Sequence, residues 1–462
     1  MKEISVNLDL TAAQRDAIGL TYVLDKLDCA TPYGRELAKQ LMPYSASDLD
    51  ALLQTHDNMD AILALRTDKA TLLDDLRDIM AHFGNIRPLL QTCQNTPLGE
   101  VEMFEVKGFL LTFEHFLPAF AALNTNLHGI NFTPTTAALD LLDPAKKRVA
   151  PFYIEDDASP ILAEIRSVKR RLPSDSADRT EIAAKEDVEE MRVLAALSRR
   201  LAAFVPALLD NINNLAKLDF TIAKAKLAYD LGGCRPSINP RRFALLNMHN
   251  PMICDSLGGN FTKVSLTLDV GTTIITGANM GGKSVAIRTA ALNAALCRLG
   301  FFVFAEAADI PLFDGICLIS EDMQDSRGGL SSFGAEVAAL KRITEASCEH
   351  FLFVALDEPA RATNPAEGTA ITRSLAAFFA QSGCVCLISS HYDNVAQPGM
   401  KHYQVAGLKA DADINTTLTH DWMDYRLIEA NSTTPPPRDA LRICEIMGLD
   451  AALIESIKAD LH

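Results

Sequence analysis

The spacing of apolar residues changes near the middle of the chain and divides the sequence into two kinds of structure. Up to about residue 125, segments such as SDLDALLQTHDNMDAILAL and VEMFEVKGFLLTFEHFLPAFAAL repeat apolar residues at helical spacing, which predicts amphipathic helices. The next segment is rich in Pro and Asn and has room for one or two short strands, and Ser159 and Pro160 then predict a helix start. The helical period returns from Ile161 to about Ala228, with a break at PSDSADRTE.

After LGGCRPSINPRR, short apolar runs alternate with helical segments. The runs are VSLTL, TTIIT, FFVFA, GICLIS, FLFVALD and CVCLISS. Such alternation predicts an α/β domain with a mostly parallel sheet. The later block DADINTTLTHDWMDYRLIEA alternates as an antiparallel pair of strands does, and DALRICEIMGLDAALIESIKADL predicts two helices joined by a Gly-containing turn.

The stretch TGANMGGKS lies between an apolar run and a helical run, and it carries the first chemical signal. It fits the pattern G-x-x-x-x-G-K-[ST] through Gly277, Gly282, Lys283 and Ser284. Glycines allow successive backbone N–H groups to point into one concavity, and the following helix adds its positive end. Lys283 is placed to reach the β- and γ-phosphates of ATP, and Ser284 to bind Mg²⁺. A glycine-rich turn without function is the simpler alternative.

Two further apolar runs end in polar residues that suit the same chemistry. FLFVALDE ends in Asp357, a candidate to hold Mg²⁺ through water, and Glu358, a candidate general base. CVCLISS is followed by His391, a candidate sensor of the γ-phosphate. Solvated carboxylates at a strand end and an ordinary surface histidine are the alternatives. Cys384 and Cys386 fit a buried strand better than a metal site, because two further ligands at suitable spacing are missing.

The net charge and the apolar content of the chain bear on whether its partner is DNA, a membrane or a protein. The 462 residues include 43 basic and 59 acidic side chains, a net charge of −16, with 48% apolar residues. An acidic excess repels phosphate backbones, so it counts against DNA without excluding it. The first residues lack the apolar core of a signal peptide, and the apolar stretch from Ala290 to Ala308 contains Arg298 and is too short for a membrane. We therefore expect a cytoplasmic protein without membrane contact.

Four segments, in their order and spacing, resemble the ATPase domain of the MutS family: TGANMGGKSVAIRTAAL, LSSFGAEV, LDEPARATNPAEG and SSHYD. Asn279 and Met280 are a detail of the loop that is specific to this family, and Ala278 and Gly281 complete the loop. The resemblance implies an α/β P-loop (ABC-type) ATPase domain with an N-terminal all-α core and lever region. It also implies an ATP hydrolase that uses ATP and Mg²⁺.

The same resemblance implies that each nucleotide site is completed across a dimer interface. LSSF would be the signature segment, with Ser331 reaching the γ-phosphate bound by the other subunit. Gln324 matches a Q-loop position of one branch of the family. Phe261 either stacks on adenine or is a core aromatic residue. The partner would be an identical chain or a related subunit, and the final pair of helices resembles the family's dimerising tail.

Weaker resemblance extends upstream through LDCATPYGRELAKQLMP, DDASPILAEIRSVKRRL and LDFTIAKAKLAYD, which resemble the start of the family's helical core and its lever helices. The implied division is a helical core domain at 1–125, a linker with lever helices and a truncated clamp at 126–235, the ABC-type ATPase domain at 236–430, and a dimerisation tail at 431–462.

Departures from the family pattern bear on the client that the ATPase would act on. We expect no mismatch-reading domain, since nothing precedes the core region, and only about 50 residues separate the two lever segments. The basic spots KRR and SRR are small, and PARATNPAEG has alanines where relatives carry glycines. The chain thus resembles a clampless branch that includes the ATPase subunit of a lysine 5,6-aminomutase reactivase, which implies a cobalamin-dependent aminomutase as client. A DNA-binding ATPase of repair or recombination and a nucleotide-gated scaffold with negligible turnover are the alternatives.

Overall fold

The computed structural model describes residues 10–173, 176–259, 261–277, 282–320, 332–392, 394–409, 423–430 and 440–460. The chain divides into two compact units. We call one the sheet unit, which takes the described residues of 1–27, 42–56 and 227–462. The other, the helical unit, takes those of 28–41 and 57–226.

Before position 232, the described residues form helices and short 3₁₀ turns and contain no strand. The helices are α1 (Ala12–Ile18), α2 (Leu20–Asp25), α3 (Pro32–Lys39), α4 (Leu49–Asp68), α5 (Ala70–Ala81), α6 (Arg87–Cys93), α7 (Glu100–Ala122), α8 (Thr136–Leu142), α9 (Pro160–Arg171), α10 (Asp178–Leu201) and α11 (Val205–Leu231). The helix start at Ser159 is confirmed, because its side chain accepts a hydrogen bond from the backbone N–H of Leu162, with Pro160 in the first helical position.

The short strands expected between residues 126 and 159 are wrong for the part of that segment that the structure describes. Helix α8 lies there instead and buries Ala138, Leu139 and Leu142. Its seven residues are too short to show a clear helical period. The core of the helical unit nearby contains a cluster of contacting aromatic rings, formed by Phe83, Phe109, Phe113, Phe116, Phe120 and Phe132.

The sheet unit contains a six-stranded sheet in the order β10-β9-β4-β8-β7-β6. Its strands are β4 (Gly271–Thr276), β6 (Gly315–Ile319), β7 (Leu352–Asp357), β8 (Val385–Ser390), β9 (Lys401–Leu408) and β10 (Met423–Glu429). All neighbours in it are parallel except β10, which pairs antiparallel with β9. The α/β class and the mostly parallel sheet are therefore confirmed for TTIIT, GICLIS, FLFVALD and CVCLISS.

A separate four-stranded sheet has the order β1-β5-β2-β3 and is mainly antiparallel. Its strands are β1 (Ser237–Ile238), β2 (Arg242–Met248), β3 (Val264–Asp269) and β5 (Ala307–Ile310). Two strand predictions need correction here. VSLTL forms β3 of this sheet and lies outside the parallel one, and FFVFA is a buried loop in which Val303 makes only an isolated bridge to Cys234.

The helices after position 232 are α12 (Pro251–Ser256), α13 (Lys283–Arg298), α14 (Ser332–Ala346), α15 (Pro365–Phe379), α16 (Ala440–Ile446) and α17 (Ala451–Asp460). Of these, α13, α14 and α15 pack against strands of the parallel sheet, which agrees with the uninterrupted apolar runs of its strands. Leu352, Val354 and Leu356 pack in one cluster with residues of α14 and α15, so the intervening side chains of β7 face the other way. One of these, Phe353, packs on Phe243.

The C-terminal prediction of helix, turn and helix is confirmed by α16 and α17, between which Gly448 has a φ of 77°. Within the described residues, no helix is long and apolar enough to cross a membrane.

Candidate active site

The carboxyl ends of three adjacent parallel strands bring the predicted segments together. Strand β8 pairs with β4 on one side and with β7 on the other, and Thr276 lies opposite Ser390 while Asp357 lies opposite Ser389. The chain leaves β4 into the glycine-rich loop, leaves β7 into Glu358, and leaves β8 into His391. In open α/β sheets this edge is where ligands bind.

Lys283 is the first residue of α13 and lies in the interior, with 3% of its surface exposed. Its ammonium donates to the carbonyl oxygen of Gly277 at 2.7 Å and lies 3.3 Å from Oε1 of Glu358. Burial lowers the pKa of Lys283, and the charge of Glu358 opposes that shift. A cation is therefore held out of bulk water beside the first glycine of the loop.

The two glycines that bracket the loop both adopt backbone angles that favour glycine. Gly277 has a φ of 135° and Gly282 a φ of 82°. A Cβ on Gly277 would lie 3.1 Å from Cβ of Val405, and one on Gly282 would lie 3.0 Å from Cδ1 of Tyr425. Both conformation and space thus require glycine at these positions.

Glu358 is the centre of a charged cluster at this edge. Besides Lys283, its carboxylate lies 3.5 Å from the guanidinium of Arg361 and 3.4 Å from Nδ1 of His391. Nδ1 of His391 makes no hydrogen bond to this carboxylate. The structure thus brings Lys283, Glu358 and His391 together.

Asp357 is joined to the backbone of Glu358 through a serine that sequence reasoning missed. The hydroxyl of Ser389 donates to Oδ1 of Asp357 at 2.6 Å and accepts the N–H of Glu358 at 2.9 Å. Ser389 is fully buried. Arg361 was also missed, although its position three residues after Glu358 in PARATN was a signal that could have been used.

The turn after Asp357 adopts an unusual backbone. Glu358 and Ala360 have φ values of 50° and 61°, in the left-handed region that non-glycine residues rarely occupy. Such a conformation costs on the order of 1–2 kcal/mol per residue. Ala360, one of the alanines of PARATNPAEG, therefore lies at a position where the backbone favours glycine.

Several predicted residues lie outside the described residues: Ala278, Asn279, Met280, Gly281, Gln324 and Ser331. Of the others, Ser284 is half-buried in the first turn of α13, and Phe261 is half-buried in the loop before β3. The roles assigned to all of them stay predictions.

The donor set at this edge fits a magnesium ion that is held jointly with phosphates. Within the described part of the chain, no group of three or more His, Cys, Asp and Glu side chains could hold a metal ion alone. Mg²⁺ commonly binds through one or two protein oxygens together with substrate phosphates and water. The carboxylate of Asp357 and the hydroxyl of Ser284 are hard oxygen donors of that type.

Fold and site together define an α/β domain with charged residues gathered at the carboxyl edge of a parallel sheet. Residues 273–458 match MutS domain V, which is an α/β ATPase domain. This segment contains the glycine-rich loop, the acidic pair, His391 and the C-terminal helices.

Similarity to known proteins extends over more of the chain than this segment. It is 27% identical over 284 residues to "Endonuclease MutS2" of Caldanaerobacter subterraneus subsp. tengcongensis, covering 60% of this chain and 34% of that protein. It is 30% identical over 283 residues to the protein of the same name from Geobacillus sp., covering 60% and 35%. It is 30% identical over 276 residues to "DNA mismatch repair protein MutS" of Thermus thermophilus, covering 58% and 32%. These matches support membership of the MutS family, and the chain spans about a third of the length of these relatives.

Proposed function

We propose that this protein is an ATP hydrolase of the MutS type that drives a conformational change in a bound client. The observation that carries the proposal is the convergence of Lys283, Asp357 and Glu358 at one edge of the parallel sheet. A buried ammonium beside two carboxylates, at the start of a helix, is suited to a triphosphate.

The arrangement of charges supports a separate role for each of these residues in ATP binding and hydrolysis. Lys283 would contact the β- and γ-phosphates, and Glu358 would polarise the attacking water as general base. The ammonium pairs with Glu358 in the structure. A triphosphate competing for the ammonium would leave the carboxylate available to water. Asp357 and Ser284 would hold Mg²⁺, which neutralises phosphate charge when it is bound. His391, near Glu358, would respond to the γ-phosphate.

We further propose a composite site formed by two subunits, identical or related. In this arrangement Ser331 completes the partner's site, Gln324 and Phe261 contact the nucleotide, and α16 with α17 contribute to dimerisation. The division into a core at 1–125, lever helices at 126–235, an ATPase domain at 236–430 and a tail at 431–462 is part of the same proposal. The levers would carry movement of the ATPase domain to the client.

For the client we favour a protein, a cobalamin-dependent aminomutase that the ATPase would reactivate. The charges of the basic spot KRR are partly neutralised within the helical unit, which weighs against DNA and so favours a protein client. Arg170 pairs with Asp156 at 3.0 Å, and Lys169 pairs with Glu186. The net charge of −16 also disfavours binding of the whole chain to a phosphate backbone. If the protein is a reactivase, adding it with ATP to an inactivated aminomutase will release bound cobalamin, measured by absorbance after gel filtration.

DNA is the second candidate client. It is supported by the names of the relatives, two endonucleases and a mismatch repair protein. The matched region covers only about a third of the length of those relatives, so their activity enters only as a proposal here.

The hydrolase proposal is tested by two substitutions that separate binding from turnover. We expect Lys283→Ala to weaken ATP binding, measured by calorimetry. Glu358→Gln should keep ATP binding and lower phosphate release by about a hundredfold or more, the usual effect of losing a general base. Glu345→Gln, an exposed position on α14, is the matched control. Equal and negligible turnover in the parent and in Glu358→Gln would instead favour a nucleotide-gated scaffold.

A further inference from the structure

The turn that carries Glu358 is held by two residues from other elements. The N–H of Ala360 donates to Oε1 of Glu336 at 2.7 Å, and the hydroxyl of Tyr392 donates to the carbonyl oxygen of Ala360 at 3.3 Å. Glu336 lies in α14, and Tyr392 directly follows His391. Both backbone polar groups of the buried Ala360 are therefore bonded to side chains, and its carbonyl oxygen also accepts the N–H of Thr363 at 3.3 Å.

The backbone conformation explains why such contacts are needed. Glu358 and Ala360 both occupy the left-handed region, and a non-glycine backbone persists there only when its surroundings hold it. Thr372 adds a third contact, from its hydroxyl to the carbonyl oxygen of Pro359 at 3.1 Å. Without these bonds the turn would relax, and the carboxylate of Glu358 would leave its position 3.3 Å from Lys283.

The phenol of Tyr392 lies close to the backbone of α15. A Cβ on Gly368 of α15 would lie 2.3 Å from the phenol oxygen, so only glycine leaves room for it. Burial raises the pKa of Tyr392, and the charges of Glu358 and Glu336 add to that shift. The phenol thus stays protonated and able to donate at neutral pH.

We propose that Glu336 is a positioning residue for Glu358, acting through the N–H of Ala360, with Tyr392 as the second support. This inference rests on the proposed ATP hydrolase function. Since α14 begins at Ser332, next to the candidate signature residue Ser331, the contact ties the geometry of the general base to the position of that helix. A shift of α14 against β7 would therefore change the position of Glu358 and with it the rate of hydrolysis.

The test compares Glu336→Ala with Glu336→Gln in the full chain. We expect Glu336→Ala to lower kcat by about ten- to a hundredfold, the usual effect of misplacing a catalytic group by about 1 Å, with ATP affinity changed less than about twofold. Glu336→Gln should stay within about threefold of the parent, because its amide oxygen accepts the same N–H. Glu345→Ala, exposed on the same helix, is the control.

Rescue distinguishes positioning from a general structural effect. Ala360→Gly in the Glu336→Ala background should restore part of kcat, since glycine adopts a φ near 61° without strain. Tyr392→Phe should lower kcat several-fold with ATP affinity kept, and it serves as the test if Glu336→Ala does not fold. Unchanged kcat in Glu336→Ala or Tyr392→Phe, equal losses in Glu336→Ala and Glu336→Gln, or no rescue by Ala360→Gly would each overturn the proposal.

A second readout separates this inference from the hydrolase proposal. If the parent protein does not hydrolyse ATP, the proposed function fails, and amide hydrogen exchange then tests the contact itself. Exchange in the segment 358–363 should accelerate in Glu336→Ala and stay as in the parent in Glu336→Gln. Equal exchange in the parent and Glu336→Ala would show that Glu336 does not hold the turn.

Discussion

At the scale of a single residue, Ser389 forms hydrogen bonds to both acidic residues, Asp357 and Glu358. Its hydroxyl donates to Asp357 and accepts from the N–H of Glu358, and it does so in the interior of the sheet. Removing it leaves a buried carboxylate oxygen and a buried N–H without this partner. The residue is thus expected to matter for both stability and geometry.

We predict that Ser389→Ala lowers the free energy of unfolding by about 1–3 kcal/mol, the usual result of leaving buried polar groups unsatisfied. It should also lower ATP turnover while leaving ATP affinity nearly unchanged, because Lys283 is not displaced. Urea denaturation and phosphate release measure the two effects. Ser374→Ala, exposed on α15, is the control and should change neither. A variant of Ser389 as stable and active as the parent would contradict this role.

The sequence predicts site residues that belong to a motif, but it cannot predict those that reach the site only through the packing of strands and helices. Lys283, Asp357 and Glu358 belong to segments whose spacing reflects the chemistry itself. Ser389 and Ser390 are adjacent and identical in type, and only the pairing of β7 with β8 places Ser389 beside Asp357. Glu336 is likewise recognisable only once α14 lies against the turn at Ala360.

At the scale of elements, apolar runs identify buried segments better than they identify strands. CVCLISS and FLFVALD are strands, whereas FFVFA is equally buried and forms a loop. A run of five apolar residues reports burial and does not fix the backbone. The sequence did not predict β1, β2, β5 and β9, because the first is two residues long and the others carry charged, polar or small residues.

Helix α11 contains a lysine whose titration tests the packing of the helical unit. Lys224 is buried, with its ammonium 4.9 Å from the ring centre of Phe220, and burial lowers its pKa to about 7. Below that pH the ammonium is charged in both the folded and the unfolded chain, so folding must desolvate a charge. As pH rises from about 7 towards 10.5, the folded chain alone loses the proton and stability increases.

We therefore predict that Lys224→Met raises the free energy of unfolding below pH 7 by at least about 1 kcal/mol, since one pKa unit corresponds to about 1.4 kcal/mol. The difference from the parent should shrink as pH rises above 7. Urea denaturation at a series of pH values measures it, with Lys217→Met, an exposed position of the same helix, as the control. A constant difference across pH would contradict burial of the charged form.

At the scale of the whole molecule, net charge and ion pairing give a test that separates the two proposed clients. The chain carries a net charge of −16, and basic residues of α9 form ion pairs within the helical unit. Arg166 in the same helix contacts Asp156, Glu186 and Glu190 at 2.9, 3.0 and 2.7 Å. A duplex contacting α9 would have to compete with these carboxylates for each cation.

This competition predicts how duplex binding depends on salt. Each phosphate neutralised by a protein cation contributes about 0.9 to the slope of log affinity against log salt. We expect affinity for duplex DNA weaker than about 10⁻⁴ M at about 0.15 M salt, the weak limit of non-specific binding, and a slope near zero. Fluorescence anisotropy of a labelled duplex measures both. The double variant Lys169→Ala, Arg170→Ala should then behave as the parent does. Tight binding with a slope of several units, reduced by that variant, would instead assign these residues to phosphate contacts and make DNA the client.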